Sequence, residues 1–526
     1  MDYLVHHMLR TSVRRFSEKT ALVYRDEVLT YRDVMAQVSG LAAGLRNIGI
    51  ERGDRVGIYL DPSVELVISI FGISQASAVF VPMNGLLLAD QVGHIAQDCE
   101  MRGLITTRKR LESLREVITQ LPKLEFFIII EDGSQNHDSF PTHPYREMIA
   151  RSPDASDLDY CIEKDLAAIL YTSGSTGKPK GVMLSHSNIV NGSSIVSTYL
   201  EITDRDKILA VLPFSFDAGL NQLMTAFQQG CTLVLMTFVF AKDIVKMLLK
   251  ENITGLAGVP TMWNLLAQTN SSLHKNSFSH LRYITNTGGA MPQNVLGVLR
   301  KSLSTTSVYL MYGLTEAFRS TYLPPEELDQ RPTSMGKAIP NTEILVVNEH
   351  GECAKPGEVG ELVHRGPTVS LGYWGNPELT AKVLRPHPFM GANGESEEKV
   401  CYSGDLVKMD EEGFLYFVGR RDSMIKSAGF RISRTEVEEA LYQSGMVTEA
   451  GVVGVPDDIL GQAVTAWIVK KDEGTFNVAD LTAYCSTKLP RYMMPKSIHV
   501  IESLPKTPNG KIDYTSLQSM KVAADA

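Results

Sequence analysis

Cysteine is scarce and scattered: six residues in 526 (Cys99, Cys161, Cys231, Cys353, Cys401 and Cys485), with no Cys-x-x-Cys pair among them. That pattern argues against a disulfide framework and a zinc site, and reads as reduced thiols in a cytoplasmic protein. A basic excess is missing too. The net charge of −9 argues against a nucleic-acid partner and leaves no broad cationic face for anionic membranes. Long apolar runs are also absent. The most apolar window, 64–81, is broken by Glu65, Ser69, Ser74, Gln75 and Ser77, so it predicts a buried helix turning into a strand, not a membrane span. The start, Met1-Asp-Tyr-Leu-Val-His-His7, lacks a basic segment followed by an apolar one, so no signal peptide is read there.

What is present is ordinary in bulk and informative in order. A chain of this length exceeds one hydrophobic core and predicts two or more domains. Strand-like and helix-like stretches alternate: 55–60, 63–75, 78–81, 90–98 and 103–106, then again 232–236, 242–251 and 255–259. Such strand–helix–strand units imply parallel sheets with helices on their faces, an α/β body reaching to about residue 420. The remainder is smaller and α+β. Ser433 and Glu436 have capping-box spacing ahead of a helix with Val437, Ala440 and Leu441 on one face. Strands at 450–455 and 463–469, a helix near 478–489 and a strand near 498–501 follow, while 391–399 reads as a polar surface loop.

The densest chemistry lies in Tyr171-Thr-Ser-Gly-Ser-Thr-Gly-Lys-Pro-Lys-Gly181, between the strand-like runs 166–170 and 182–184. Four Ser and Thr hydroxyls, three glycines and two lysines share one loop. Glycines let backbone N–H groups approach an anion, hydroxyls add donors and lysines add charge, which suits a polyphosphate. A Walker-type loop requires Ser or Thr after Gly-Lys. Here Pro179 follows Lys178, which removes the magnesium-binding hydroxyl and an N–H.

Taken whole, this loop resembles that of the adenylate-forming enzymes, which include acyl-CoA synthetases, luciferases and nonribosomal peptide adenylation domains. The resemblance implies that Thr172, Ser173, Gly174, Ser175, Thr176, Gly177 and Lys178 grip the phosphates of ATP, with Gly288, Gly289 and Ala290 as further ATP contacts. Four more segments follow in the family's order. Tyr312-Gly-Leu-Thr-Glu316 resembles the motif whose Tyr stacks on adenine, whose Thr315 meets the α-phosphate and whose Glu316 holds Mg²⁺. Glu316 alone would read as an ordinary solvated glutamate. Tyr402-Ser-Gly-Asp405 resembles the segment whose Asp accepts from both ribose hydroxyls. Over fourteen positions, 419–432 is similar to the family's hinge. By that likeness Arg420 lies near ribose and phosphate, Asp422 is the pivot, and Lys426 and Gly429 serve the thiolation state. Finally, Lys511 in Pro505-Lys-Thr-Pro-Asn-Gly-Lys511-Ile-Asp513 matches the lysine bridging the substrate carboxylate and the α-phosphate.

The fold implied is a large body, 1–421, with a small mobile cap, 422–526, hinged at 422. The activity implied is attack of a carboxylate on the α-phosphorus of MgATP, release of pyrophosphate, and transfer of the acyl group to a phosphopantetheine thiol of CoA or of a separate carrier protein. The acid pocket implied lies beside Leu212-Pro-Phe-Ser-Phe-Asp-Ala-Gly219, with Phe216, Asp217, Asn221, Ala257, Thr285, Thr287, Met311, Arg319 and Ser320 as its candidates. A buried Asp217 calls for a cation, which points to an amino-bearing acid. The alternatives are an Asp217 that caps a helix starting at Ala218, and a fatty acyl ligase of the same fold. Arg319 either meets a second carboxylate on the substrate or points outward. The stretch 312–341 also resembles bacterial AMP-forming acyl-CoA ligases of the exosortase-A-associated type.

Overall fold

The computed structural model describes residues 2–131, 140–151, 159–172, 179–268, 271–390, 398–421, 424–427, 430–457, 460–471, 476–508 and 510–520; of Lys426, Phe430 and Arg431 only the backbone is described. Two large, mainly parallel sheets form the body. In the first, the strands run Lys337–Ala338, Thr321–Leu323, Ser307–Tyr312, Tyr283–Asn286, Gly255–Gly258, Lys207–Ala210, Thr232–Leu235, Thr20–Tyr24 and Glu27–Thr30 across the sheet. The six strands from Ser307–Tyr312 to Thr20–Tyr24 are parallel, and antiparallel neighbours close both edges. The second sheet has eight strands, and Leu166–Thr172 and Lys180–Ser185 pair antiparallel in it.

Helices Tyr31–Asn47 and Val64–Gln75 show why the layers hold. Thr30 caps the first through a capping box, and the Ser63 hydroxyl accepts from Leu66 N–H at the start of the second. Val64–Gln75 is apolar almost all round and buried along nearly its whole length, as a helix packed on both sides must be. Its residues share one core cluster with strands of both sheets, among them Leu22, Ile58, Phe80 and Leu233. Among the described residues no helix is long and apolar enough to cross a membrane.

A third sheet is antiparallel, built from Glu343–Val347, Val359–Arg365, Leu384–Pro386, Lys399–Met409 and Leu415–Arg420. Beyond it, Ile425–Ser427, Phe430–Ile432, Val447–Asp457, Gly461–Lys470 and Ser497–Val500 make a fourth sheet. That sheet packs with helices Arg434–Gln443 and Val478–Ser486 around a core of its own, including Ile432, Leu441, Val452 and Leu481. Ser433 caps its helix by accepting from Glu436 N–H, but the Glu436 side chain does not return the bond, so the expected capping box is only half formed.

The N-terminal helix Val5–Phe16 is tied down by an acid-sensitive cluster. His6 and His7 each approach Asp159 at 2.9 Å through Nε2, and Arg10 donates to both Asp159 oxygens. Nearby, His186 Nδ1 accepts from Val5 N–H. Arg10 balances the carboxylate, so the trio is satisfied without a metal ion. Burial lowers the pKa of all three imidazoles, His186 down to about 3. At these three sites the unfolded state therefore binds more protons than the folded one below about pH 6.5. Stability is fully present above that value and falls with pH, for His186 at roughly 1.4 kcal/mol per unit until its folded pKa is reached. Thermal melts at fixed ionic strength should show the melting temperature dropping steadily from pH 7 to pH 5. A flat or rising profile across that window would contradict the assignment.

Candidate active site

The candidate residues gather where the parallel strands of the first sheet end. Thr285 lies on Tyr283–Asn286, level with Ala257 on one neighbouring strand and Tyr309 on the other. Met311 follows Tyr309 by two residues, which keeps it on the same face of the sheet. Thr287, Gly288, Gly289 and Ala290 continue past the carboxyl end of Tyr283–Asn286, and Phe216 and Asp217 lie beyond that of Lys207–Ala210. Open α/β sheets bind ligands in this crevice. Phe216, Asp217, Asn221, Ala257, Thr285, Thr287, Met311, Arg319 and Ser320 are all buried.

Asp217 is the first residue of helix Asp217–Gln229, with Phe216 at the cap position, and its carboxylate does not cap that helix. It pairs instead with Arg319, Nη1 to Oδ2 at 3.3 Å, both side chains 5% exposed. So the cation that a buried Asp217 demands is already supplied, in part, by the chain itself. Arg319 is held from behind. Phe318 has φ +38° and ψ −38°, a sterically costly backbone for a bulky residue, and its ring is fully buried. Gly192 makes room for that ring, since a Cβ there would sit 2.5 Å from it.

A second cluster surrounds Asp405, itself 4% exposed. The Tyr312 hydroxyl donates to Asp405 Oδ2, Arg420 Nη1 lies 3.4 Å from Oδ1, and Ser403 Oγ accepts from the Asp405 N–H at 3.0 Å. Burial, then the Asp405 carboxylate, push the Tyr312 phenol well above its ordinary range, so it stays a donor. His364, buried and with its pKa brought down to about 3 by burial, lies parallel to the Tyr312 ring, centroids 6.0 Å apart. Glu316 accepts from the Tyr373 hydroxyl. Thr315 is buried beside it. This donor set suits a hard cation at Glu316, a carboxylate oriented by a neutral hydroxyl and, among the described residues, not paired with a basic side chain.

Lys511 reaches this crevice from the small sheet's end of the chain. Thr507 N–H donates to Lys511 C=O at 2.7 Å and Gly510 N–H to Thr507 C=O at 2.9 Å, which ties Thr507, Gly510 and Lys511 into a tight turn. Two residues of the body dock that turn: Thr261 Oγ1 donates to Gly510 C=O at 2.9 Å and Asn84 Nδ2 to Pro508 C=O at 3.1 Å. The Lys511 ammonium lies 5.1 Å from the Phe216 ring centroid. Gly288 has φ +79°, and a Cβ there would come within 3.1 Å of Lys511 Cε. Glycine is needed at 288 for its backbone and for this passage.

The structure thus brings Lys511, Phe216, Gly288, Asp217 and Arg319 into one region, and Tyr312, Asp405 and Arg420 into a second. Thr172 ends its strand, while Ser173, Gly174, Ser175, Thr176, Gly177 and Lys178 lie outside the described residues, as do Asp422 and Gly429. Backbone at Lys426 is strand. Sequence reasoning missed Tyr373, His364, Thr261 and Asn84. Their partners lie far along the chain, and no local pattern marks them.

Residues 9–374 match the AMP-binding enzyme family and residues 436–511 the AMP-binding enzyme C-terminal domain. Gramicidin S synthase 2 of Brevibacillus brevis is 29% identical across 98% of this chain, which spans only 11% of that protein's length. A long-chain-fatty-acid–CoA ligase of Salmonella typhimurium is 30% identical, covering 95% of this chain and 91% of the relative. Among solved structures, the anthranilate CoA ligase AuaEII in complex with anthranoyl-AMP superposes with a TM-score of 0.88 at 26% identity, covering 98% of this chain and 96% of that one.

Proposed function

The chain belongs to the AMP-binding enzyme family, and from that premise we propose that it activates an amino-bearing carboxylic acid with ATP and passes the acyl group to a phosphopantetheine thiol. In the first step a carboxylate oxygen attacks the α-phosphorus, the bond to the β-phosphate breaks and pyrophosphate leaves. In the second, a thiolate attacks the acyl carbon and AMP leaves. Two anions must meet in the first step. Lys511, set against Phe216 and Gly288, is the cation that offsets their repulsion, and this contact is the observation that carries the reading.

Tyr312, backed by His364, offers its other face to adenine, and Asp405 accepts from the ribose diol with Arg420 beside it. Residues 172–178 and 288–290 bind the phosphates, and Thr315 meets the α-phosphate. Glu316 would hold Mg²⁺, which neutralises phosphate charge when bound. The cap begins at a hinge at 422; its rotation withdraws Lys511 and brings Lys426 and Gly429 to the site for thiolation. The thiol belongs to CoA or a separate carrier protein, in a cytoplasm that supplies both.

Acid-dependent exchange of pyrophosphate into ATP is the test, screened over amino, aryl and fatty acids and followed by CoA and holo-carrier proteins as acceptors. Exchange driven best by an amino-bearing acid supports the reading. A fatty acid as the preferred substrate would replace it with a fatty acyl ligase, and no exchange with any acid would end it.

A further inference from the structure

The acid pocket is over-supplied with buried hydrogen-bond donors. Arg319 is 4% exposed and Asn221 3% exposed, yet among the described residues Arg319 Nε and Asn221 Nδ2 have no hydrogen-bond partner. Asn221 lies one turn from Asp217 along helix Asp217–Gln229, and Arg319 touches Asp217 through Nη1 alone, at 3.3 Å. A guanidinium prefers to meet a carboxylate through two parallel N–H bonds. Here one bond is made and the Nε donor is left over. Burying an unsatisfied donor is costly, so the arrangement suits a ligand that brings acceptors.

Charge balance narrows the ligand further. Asp217 and Arg319 sum to zero in a buried pocket. A substrate bringing a lone ammonium would leave one positive charge uncompensated, and one bringing a lone carboxylate would leave one negative charge. Both are expensive without water. A substituent that brings one of each keeps the pocket neutral and gives every ion an opposite neighbour. The reacting carboxylate is counted separately, because Lys511 meets it at the Phe216 end.

Resting on the adenylation reading above, we infer that the activated acid is an amino dicarboxylic acid. Its ammonium binds Asp217, and its second carboxylate binds the Nε edge of Arg319 and the amide of Asn221. On binding, the single Asp217–Arg319 contact is traded for two ligand ion pairs. Because Phe318 and Gly192 hold the backbone behind Arg319, that side chain is pre-positioned for the exchange.

The test is pyrophosphate exchange by the wild-type enzyme with matched acids: aspartate and glutamate, their amides asparagine and glutamine, the amine-free succinate and glutarate, alanine, and a set of fatty and aryl acids. The better of the two amino dicarboxylates should exceed its amide, its amine-free counterpart and alanine in kcat/KM by about a hundredfold or more, since a site built to bond a polar group rejects the analogue lacking it. In Arg319→Gln, selectivity for the dicarboxylate over its amide should fall at least about tenfold, and in Asp217→Asn the preference for the amine should fall similarly, both read as KM changes with folding checked by thermal melts. Preference for alanine, an amide or a fatty or aryl acid over the amino dicarboxylates overturns the inference while leaving adenylation intact. So does equal use of succinate and aspartate. Exchange with none of the acids removes the adenylation reading and the inference with it.

Discussion

Lys511→Ala should lower acid-dependent pyrophosphate exchange by about two decades or more while leaving thioester formation from supplied acyl-adenylate within about threefold of wild type. The size follows from where the ammonium sits. Two unit charges 4 Å apart interact by about 1 kcal/mol in bulk water and about 4 kcal/mol at an effective dielectric near 20. Lys511 is exposed as a whole while its tip lies against Phe216, so an intermediate value applies. Two decades correspond to about 2.7 kcal/mol, inside that range. The separation of half-reactions follows from the docking: Thr261 and Asn84, both in the body, bond to Gly510 and Pro508 and so help hold the ammonium in the crevice. Thiolation begins from an acyl-adenylate whose carboxylate charge is already gone. Equal loss in both half-reactions would show that Lys511 supports the fold or the cap and not the first step.

The parts legible in the sequence were those written in local chemistry. Helix Val64–Gln75 announced itself through a mostly apolar stretch interrupted by Glu65, Ser69 and Ser74, and Gly103–Thr106 through a short apolar stretch ending in a β-branched residue. The antiparallel sheet of 343–420 was not anticipated, because its strands, joined by segments of very different length, carry no helix-alternation signal. The site divides in the same way. Tyr312, Glu316, Asp405 and Lys511 stand in recognisable strings, so their candidacy needed no structure. What those side chains touch was invisible: Glu316 leans on Tyr373 and Tyr312 on His364, each pair more than 50 residues apart.

Asp217 shows why this matters chemically. Read alone, a buried carboxylate facing an acid pocket needs an amine from the substrate. The structure puts Arg319, 102 residues later, against it. The demand for a cation is then shared between protein and ligand, and the leftover donors on Arg319 and Asn221 move the question from one substrate charge to two. Sequence pattern can nominate a charge for a pocket, but its sign of preference depends on a neighbour that only folding supplies.

Asp405→Ala should raise the KM for ATP and lower kcat/KM for ATP by about two decades, with the KM for the acid changed by less than about threefold. Asp405 is buried where it accepts from Tyr312, faces Arg420 at 3.4 Å and is fixed through its own N–H by Ser403. Hydrogen bonds to a charged acceptor contribute roughly 1.5–3 kcal/mol each, so losing the diol contact and the anchor of the Tyr312 ring together reaches the stated size. Asp405→Asn keeps the volume and one acceptor oxygen and should fall between the two. The diagnostic readout is a ribose analogue. Wild type should prefer ATP over its 2′-deoxy and 3′-deoxy forms by about tenfold or more, and Asp405→Ala should treat the three alike. If the variant keeps the wild-type preference for the intact ribose, the diol is held elsewhere, and Asp405 serves only to orient Tyr312 and Arg420.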